Sequence, residues 1–121
     1  NIFCSAFKVG FTFDSYGNLW GTHVMVDRIF ALTPEGELRI LLDDGRPGDI
    51  ENVDRAFQAG EITADLLMDC GGIIARWIAS ITFAGDDLKT VYLGSLFGDR
   101  IAKFRSPVAG LAMTHWDEKY G

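Results

Sequence analysis

Long apolar runs are missing from this chain. Across 121 residues, no stretch approaches the ~20 apolar residues that a membrane helix needs, and no signal peptide is visible. Clusters of basic charge are missing too. Eleven Lys and Arg stand singly among seventeen Asp and Glu, for a net charge of −6. Nucleic-acid binding requires cations grouped against phosphates, so that class is excluded. Cysteine is scarce. Cys4 and Cys70 form neither a disulfide framework nor a metal-type cluster. They read as free or buried thiols of a reducing compartment, with the cytoplasm as the expected location. Also absent are a phosphate-binding loop, a dinucleotide fingerprint and a G-x-S-x-G elbow.

What remains is an ordinary globular composition, 48% apolar and 12% aromatic, in a chain long enough to bury a core. Its strongest feature is a unit carried twice. Gly10-Phe11-Thr12-Phe13-Asp14, Leu19-Trp20-Gly21-Thr22 and Asp27-Arg28-Ile29-Phe30-Ala31 form the first copy. Ile81-Thr82-Phe83-Ala84, Val91-Tyr92-Leu93-Gly94-Ser95 and Asp99-Arg100-Ile101-Ala102-Lys103 form the second. Short strand-like segments joined by Gly, Asn, Asp and Pro turns read as antiparallel sheet. The expected fold is all-β: two four-stranded blades of a six-bladed type of β-propeller.

Blade 1 is expected over about 10–43 and blade 2 over about 78–116, with Thr114-His115-Trp116 starting or replacing the last strand. Between them lies a helical insertion over about 49–72. Asp49 is the expected N-cap of a helix whose Ile50, Val53 and Phe57 share one face and cover the sheets. Thr63 caps a second, short helix that runs through Asp69. Because a blade buries neither face alone, the chain, which begins at Asn1, is expected to be part of a longer propeller or a homo-oligomer. Three copies would supply six blades.

The segment from Gly10 to Trp20, with Gly17-Asn18-Leu19-Trp20 at its end, resembles a strand pair of the gluconolactonase, senescence marker protein and luciferin-regenerating enzyme family. Asp27 to Gly36, Thr90 to Leu96 and Gly98 to Ile101 are similar to the segments around it and to the last blade. The resemblance implies a propeller that hydrolyses sugar lactones around one divalent cation, calcium or zinc, held by a Glu, an Asn and an Asp from different blades. Only the C-terminal part of that architecture is matched. Where the family's Asp-Gly pair opens the innermost strand, this chain has Val9-Gly10. Valine offers no oxygen, so no metal ligand is assigned, no cofactor is expected, and the resemblance implies a lactonase fragment that is incomplete or inactive as an isolated chain. The alternatives are a non-catalytic module that binds a small sugar or organic acid, or a propeller assembly unit.

Propeller topology would gather Lys8 and Val9 with the loop from His23 to Arg28, and Arg76 and Trp77 with Phe97 to Arg100. His23 is the candidate catalytic base, since it titrates near neutrality. A structural hydrogen bond is its competing reading. Arg28, Arg76, Trp77 and Arg100 are the candidate substrate-binding residues, with guanidinium groups and a ring suited to a sugar acid or lactone. The recurrence of Asp27-Arg28 as Asp99-Arg100 also fits a structural role in both copies. Asp43-Asp44 and Asp86-Asp87 read as turn residues that bond their own backbone.

Overall fold

The computed structural model describes residues 8–24, 26–74 and 76–117, with the backbone alone at 8, 9 and 117. The expected strand at 2–7, Cys4 and the side chain of Val9 lie outside the described residues. The fold is mostly β, with two stacked antiparallel sheets that do not close into a ring. Sheet 1 comprises β1 (Lys8–Phe13), β2 (Leu19–His23), β3 (Arg28–Leu32) and β4 (Leu38–Asp43) in sequential order. Sheet 2 comprises β5 (Ile78–Ala84), β6 (Thr90–Ser95) and β7 (Ala102–Arg105).

The expectation of four strands in the second sheet is corrected to three among the described residues. The chain leaves the sheet at Ser106-Pro107, where proline has no N–H to donate. Ser106 Oγ accepts from the Val108 N–H at 3.1 Å and closes a turn. The following residues cross to sheet 1 instead. Leu111 N–H donates to Phe13 O at 2.9 Å, and Ser15 N–H donates to Ala109 O at 2.8 Å. Thr114–Asp117 is a 3₁₀ turn. In the second copy of the repeat, Asp99-Arg100-Ile101 precede the third strand, which starts at Ala102.

Period-2 alternation decides which side chains meet. From sheet 1, Trp20, Ile29 and Ala31 face Ile78, Ile81, Phe83, Val91 and Leu93 of sheet 2, and these form the main core. Trp20 and Phe83 meet edge to face, with ring centroids 5.0 Å apart. At Gly10 the backbone of sheet 1 lies close against that of sheet 2. A Cβ there would lie 2.6 Å from Ala79 O and 2.9 Å from Ser80 Cα, both backbone atoms.

The two outward faces differ in kind. On sheet 1 the rows Phe11, Gly21, Phe30, Ile40 and Phe13, Leu19, Leu32, Leu38 run across all four strands. Phe11 is 67% exposed, and Phe13, Leu38 and Ile40 are also exposed, whereas Phe30 in the middle of the first row is fully buried under the His23 ring. On sheet 2 the corresponding rows are Thr82, Tyr92, Lys103 and Ala84, Thr90, Arg105. One outer face is therefore apolar and the other polar.

Helix α1 (Asp49–Ala59) and helix α2 (Ala64–Asp69) fill the connection between the sheets. Thr63 caps α2 as expected, its hydroxyl accepting from Leu66 N–H at 3.1 Å. Gly60 ends α1 at φ 69°. Asp49 is not the N-cap of α1. That place is taken by Gly48 at φ 89°, while Asp49 is the first helical residue and pairs with Arg46 at 3.3 Å. Docking of α1 is narrower than its apolar spacing implies. Val53 is fully buried with Val26 and Cys70, and Ile50 packs against them. Phe57 is 42% exposed and does not belong to that buried cluster.

Candidate functional site

The first hairpin of each sheet, β1–β2 and β5–β6, has a turn organised by one carboxylate. In the first, Asp14 follows β1 and is buried. Its Oδ1 accepts from the N–H groups of Tyr16 at 2.9 Å and Asn18 at 3.0 Å. Its Oδ2 accepts from Asn18 Nδ2 and from the indole Nε1 of Trp20, both at 2.8 Å. The spacing of Asp14, Gly17, Asn18 and Trp20 thus has a mechanical meaning. The carboxylate satisfies the turn and the one polar atom of the core tryptophan, and Gly17 supplies the positive φ of 83°. In the second hairpin Asp87 accepts from Lys89 N–H at 3.0 Å and pairs with Arg105 at 2.6 Å. The Arg105 hydrogen bond holds the Asp87 pKa down at about 2.

Asp27 ties the two halves together. It sits in the β2–β3 loop at φ 49° and is fully buried. Its carboxylate accepts from Ile78 N–H at 2.9 Å and from the backbone N–H groups of Gly72 and Trp77. The loop of sheet 1 is thereby fastened to the start of sheet 2. Asp99, its counterpart in the second copy, is exposed and, among the described residues, pairs with neighbouring Arg100 at 3.4 Å. The repeated Asp-Arg pair therefore has two different environments.

The candidate site residues fall into separate groups. His23 ends β2, opposite Arg28 in register. It is only 2% exposed, and its ring stacks on Phe30 with centroids 4.6 Å apart. Arg28 closes the β3–β4 ladder through Asp43 at 2.8 Å and borders a cleft of about 180 Å³ with Arg46 and Glu51. Arg76 and Trp77 form a second group around Phe97. The Arg76 guanidinium lies 5.3 Å from the centre of that ring and donates to Met68 O. Trp77, at φ 58°, meets the same ring at 4.9 Å and donates to Cys70 O at 3.3 Å. Arg100 stands apart, with its side chain 89% exposed.

Among the described residues no group of three His, Cys, Asp or Glu side chains is placed to hold a metal ion. The donors the resemblance calls for do not fit here. Asp14 and Asp27 are committed to backbone and indole donors, Asp43 accepts from Arg28, and Asp44 accepts from Ile74 N–H at 2.6 Å. Cys70 is a buried free thiol, and burial raises its pKa. No helix among the described residues is long and apolar enough to cross a membrane.

A larger opening than the Arg28 cleft is one that reading the residues one by one did not reveal. The two sheets diverge from Trp20 toward their outer strands and leave a cavity of about 630 Å³. Trp20, Ala31 and Leu93 line it together with Leu42 of β4, Phe104 of β7 and Val108. Its only sequence signal was the alternation that set these apolar residues on facing sides of two sheets.

The buried carboxylates titrate in opposite directions. Burial raises the pKa of Asp14, but the bonds from Asn18, Trp20 and Tyr16 outweigh it and leave the value below 3.8. Burial raises Asp27 above 3.8 against its backbone donors, with Asp44 adding repulsion. By linkage, the stabilisation from Asp14 is complete above the unfolded value and is lost as pH falls through the folded one. Ionising Asp27 works the other way, lowering stability as pH rises through its folded value. Carboxyl carbon-13 NMR should find the Asp14 midpoint below 3.8 and the Asp27 midpoint above it. The reverse order would contradict this account of the two turns.

No protein-family model, no curated protein and no solved structure matches the chain.

Proposed function

We propose that the chain is a pair of propeller-type blades acting as an assembly unit, with no lactone turnover of its own. The observation that supports this is the contrast between the outer faces. The rows led by Phe11 and Phe13 leave large apolar side chains in water, which marks a surface for association. The rows through Tyr92 and Lys103 do not.

The partner follows from that contrast. Head-to-tail stacking of three copies into six blades would set the apolar face of one copy on the polar face of the next. A two-fold pairing sets apolar on apolar, the self-complementary arrangement of most dimers. The occupant is therefore a second copy of this chain, joined through the outer face of sheet 1.

Sugar-lactone hydrolysis, the activity implied by the resemblance, would need its candidate residues to converge on one substrate. His23 is enclosed, while Arg28, Arg76 and Arg100 serve separate contacts. Hydroxyl-radical footprinting tests the assembly reading. Raising the protein concentration should protect Phe11, Phe13 and Ile40 and leave Tyr92 unchanged. Protection of Tyr92 with continued labelling of Phe11 would overturn it.

A further inference from the structure

We infer that the wedge between the two sheets is a binding site for a medium-chain carboxylate, with its tail between the sheets and its charged head at Arg39. This inference does not depend on the assembly reading, since the wedge lies on the opposite side of sheet 1.

Size is the first argument. About 630 Å³ in a chain this small falls within the range of roughly 300–1,000 Å³ typical of ligand pockets. The walls suit a hydrocarbon. Trp20, Ala31 and Leu93 form the floor, and Leu42, Phe104 and Val108 stand around it.

Polarity is the second argument, and it gives the ligand a direction. Arg39 shares a cross-strand row with Ala31 and Trp20, on the face of sheet 1 that looks toward sheet 2. It lines the cavity at the end near the β3–β4 turn, together with Thr33. Ile74 and Leu42 lie toward the other end. From Arg39 to Leu42 is three strand residues, or about 10 Å, so on the sheet 1 wall the wedge is polar at the Arg39 end and apolar toward Leu42, while Lys103 of β7 adds a second cation on the opposite wall. Arg39 is paired with Glu37 at 3.1 Å, but both side chains are more than half exposed. Such a pair contributes little, and a ligand carboxylate entering from the apolar side can take the guanidinium. Asp14 borders the same end, but its two oxygens are occupied by Tyr16, Asn18 and Trp20.

The test is an NMR titration of the whole chain with decanoate, kept below its micelle concentration, and with decanol and acetate for comparison. Decanoate is expected to shift the methyl signals of Leu42, Leu93 and Val108. Acetate should not bind. Arg39→Gln should weaken decanoate roughly tenfold, the worth of one charge-assisted hydrogen bond, and leave decanol unchanged. Ala102→Phe, which fills the wedge, should abolish both. The proposal is overturned if decanoate shifts only the Phe11 and Ile40 face, if Arg39→Gln has no effect on it, or if no binding occurs below the micelle concentration.

Discussion

Phe83→Ala is expected to lower the unfolding free energy by about 3–5 kcal/mol, the usual cost of removing a buried phenylalanine. Phe83 is buried against Trp20 in the only large core among the described residues, and the backbone at Gly110 closes directly over its ring. Few neighbours can move inward to fill the space. Phe57→Ala is the matched control. That ring is exposed on α1, so its loss should cost at most about 1 kcal/mol, as for most surface substitutions. Urea denaturation of both variants checks the pair. Equal losses would mean that α1 docks through Phe57 after all.

Asp14→Ala is the second large effect. The substitution removes four acceptor contacts at once and leaves the indole N–H of Trp20 buried without an acceptor. Breaking a buried, charge-assisted network of this kind costs about 3–5 kcal/mol. Asn keeps one acceptor oxygen and should lose about half as much. Asp87→Ala removes a carboxylate from the equivalent hairpin, but an exposed one, and should cost far less than Asp14→Ala. A loss at Asp87 equal to that at Asp14 would show that burial of the Trp20 indole is not what makes the first turn strong.

Much of the local structure was legible in the residues. Alternating apolar positions bounded by Gly, Asn, Asp and Pro located seven strands, and Thr63 and Gly60 marked helix ends, because turns and caps are short-range chemistry. Other features depended on distant contacts. Ile50, Val53 and Phe57 have helical spacing, but only packing against Val26 and Cys70 determines how much of that face is covered. Thr114 to Trp116 looked like strand material until the chain crossed at Pro107 to pair with β1. His23 is a polar residue in an alternating strand, and its burial depends on Phe30 across the sheet. The residue types of the candidate site were visible in advance. Their separation into two groups and an isolated Arg100, and the wedge beside them, emerged only once the sheets were stacked.

The molar mass of the chain in solution tests the central claim most directly. Sedimentation equilibrium at micromolar concentration should give about twice the 13.4 kDa of one chain. Ile40→Lys, which places a charge on the apolar outer face, should return a folded monomer, and Thr82→Lys on the polar face should leave the dimer intact. A wild-type chain that remains a cooperatively folded monomer, or a dimer broken by Thr82→Lys but not by Ile40→Lys, would contradict the account.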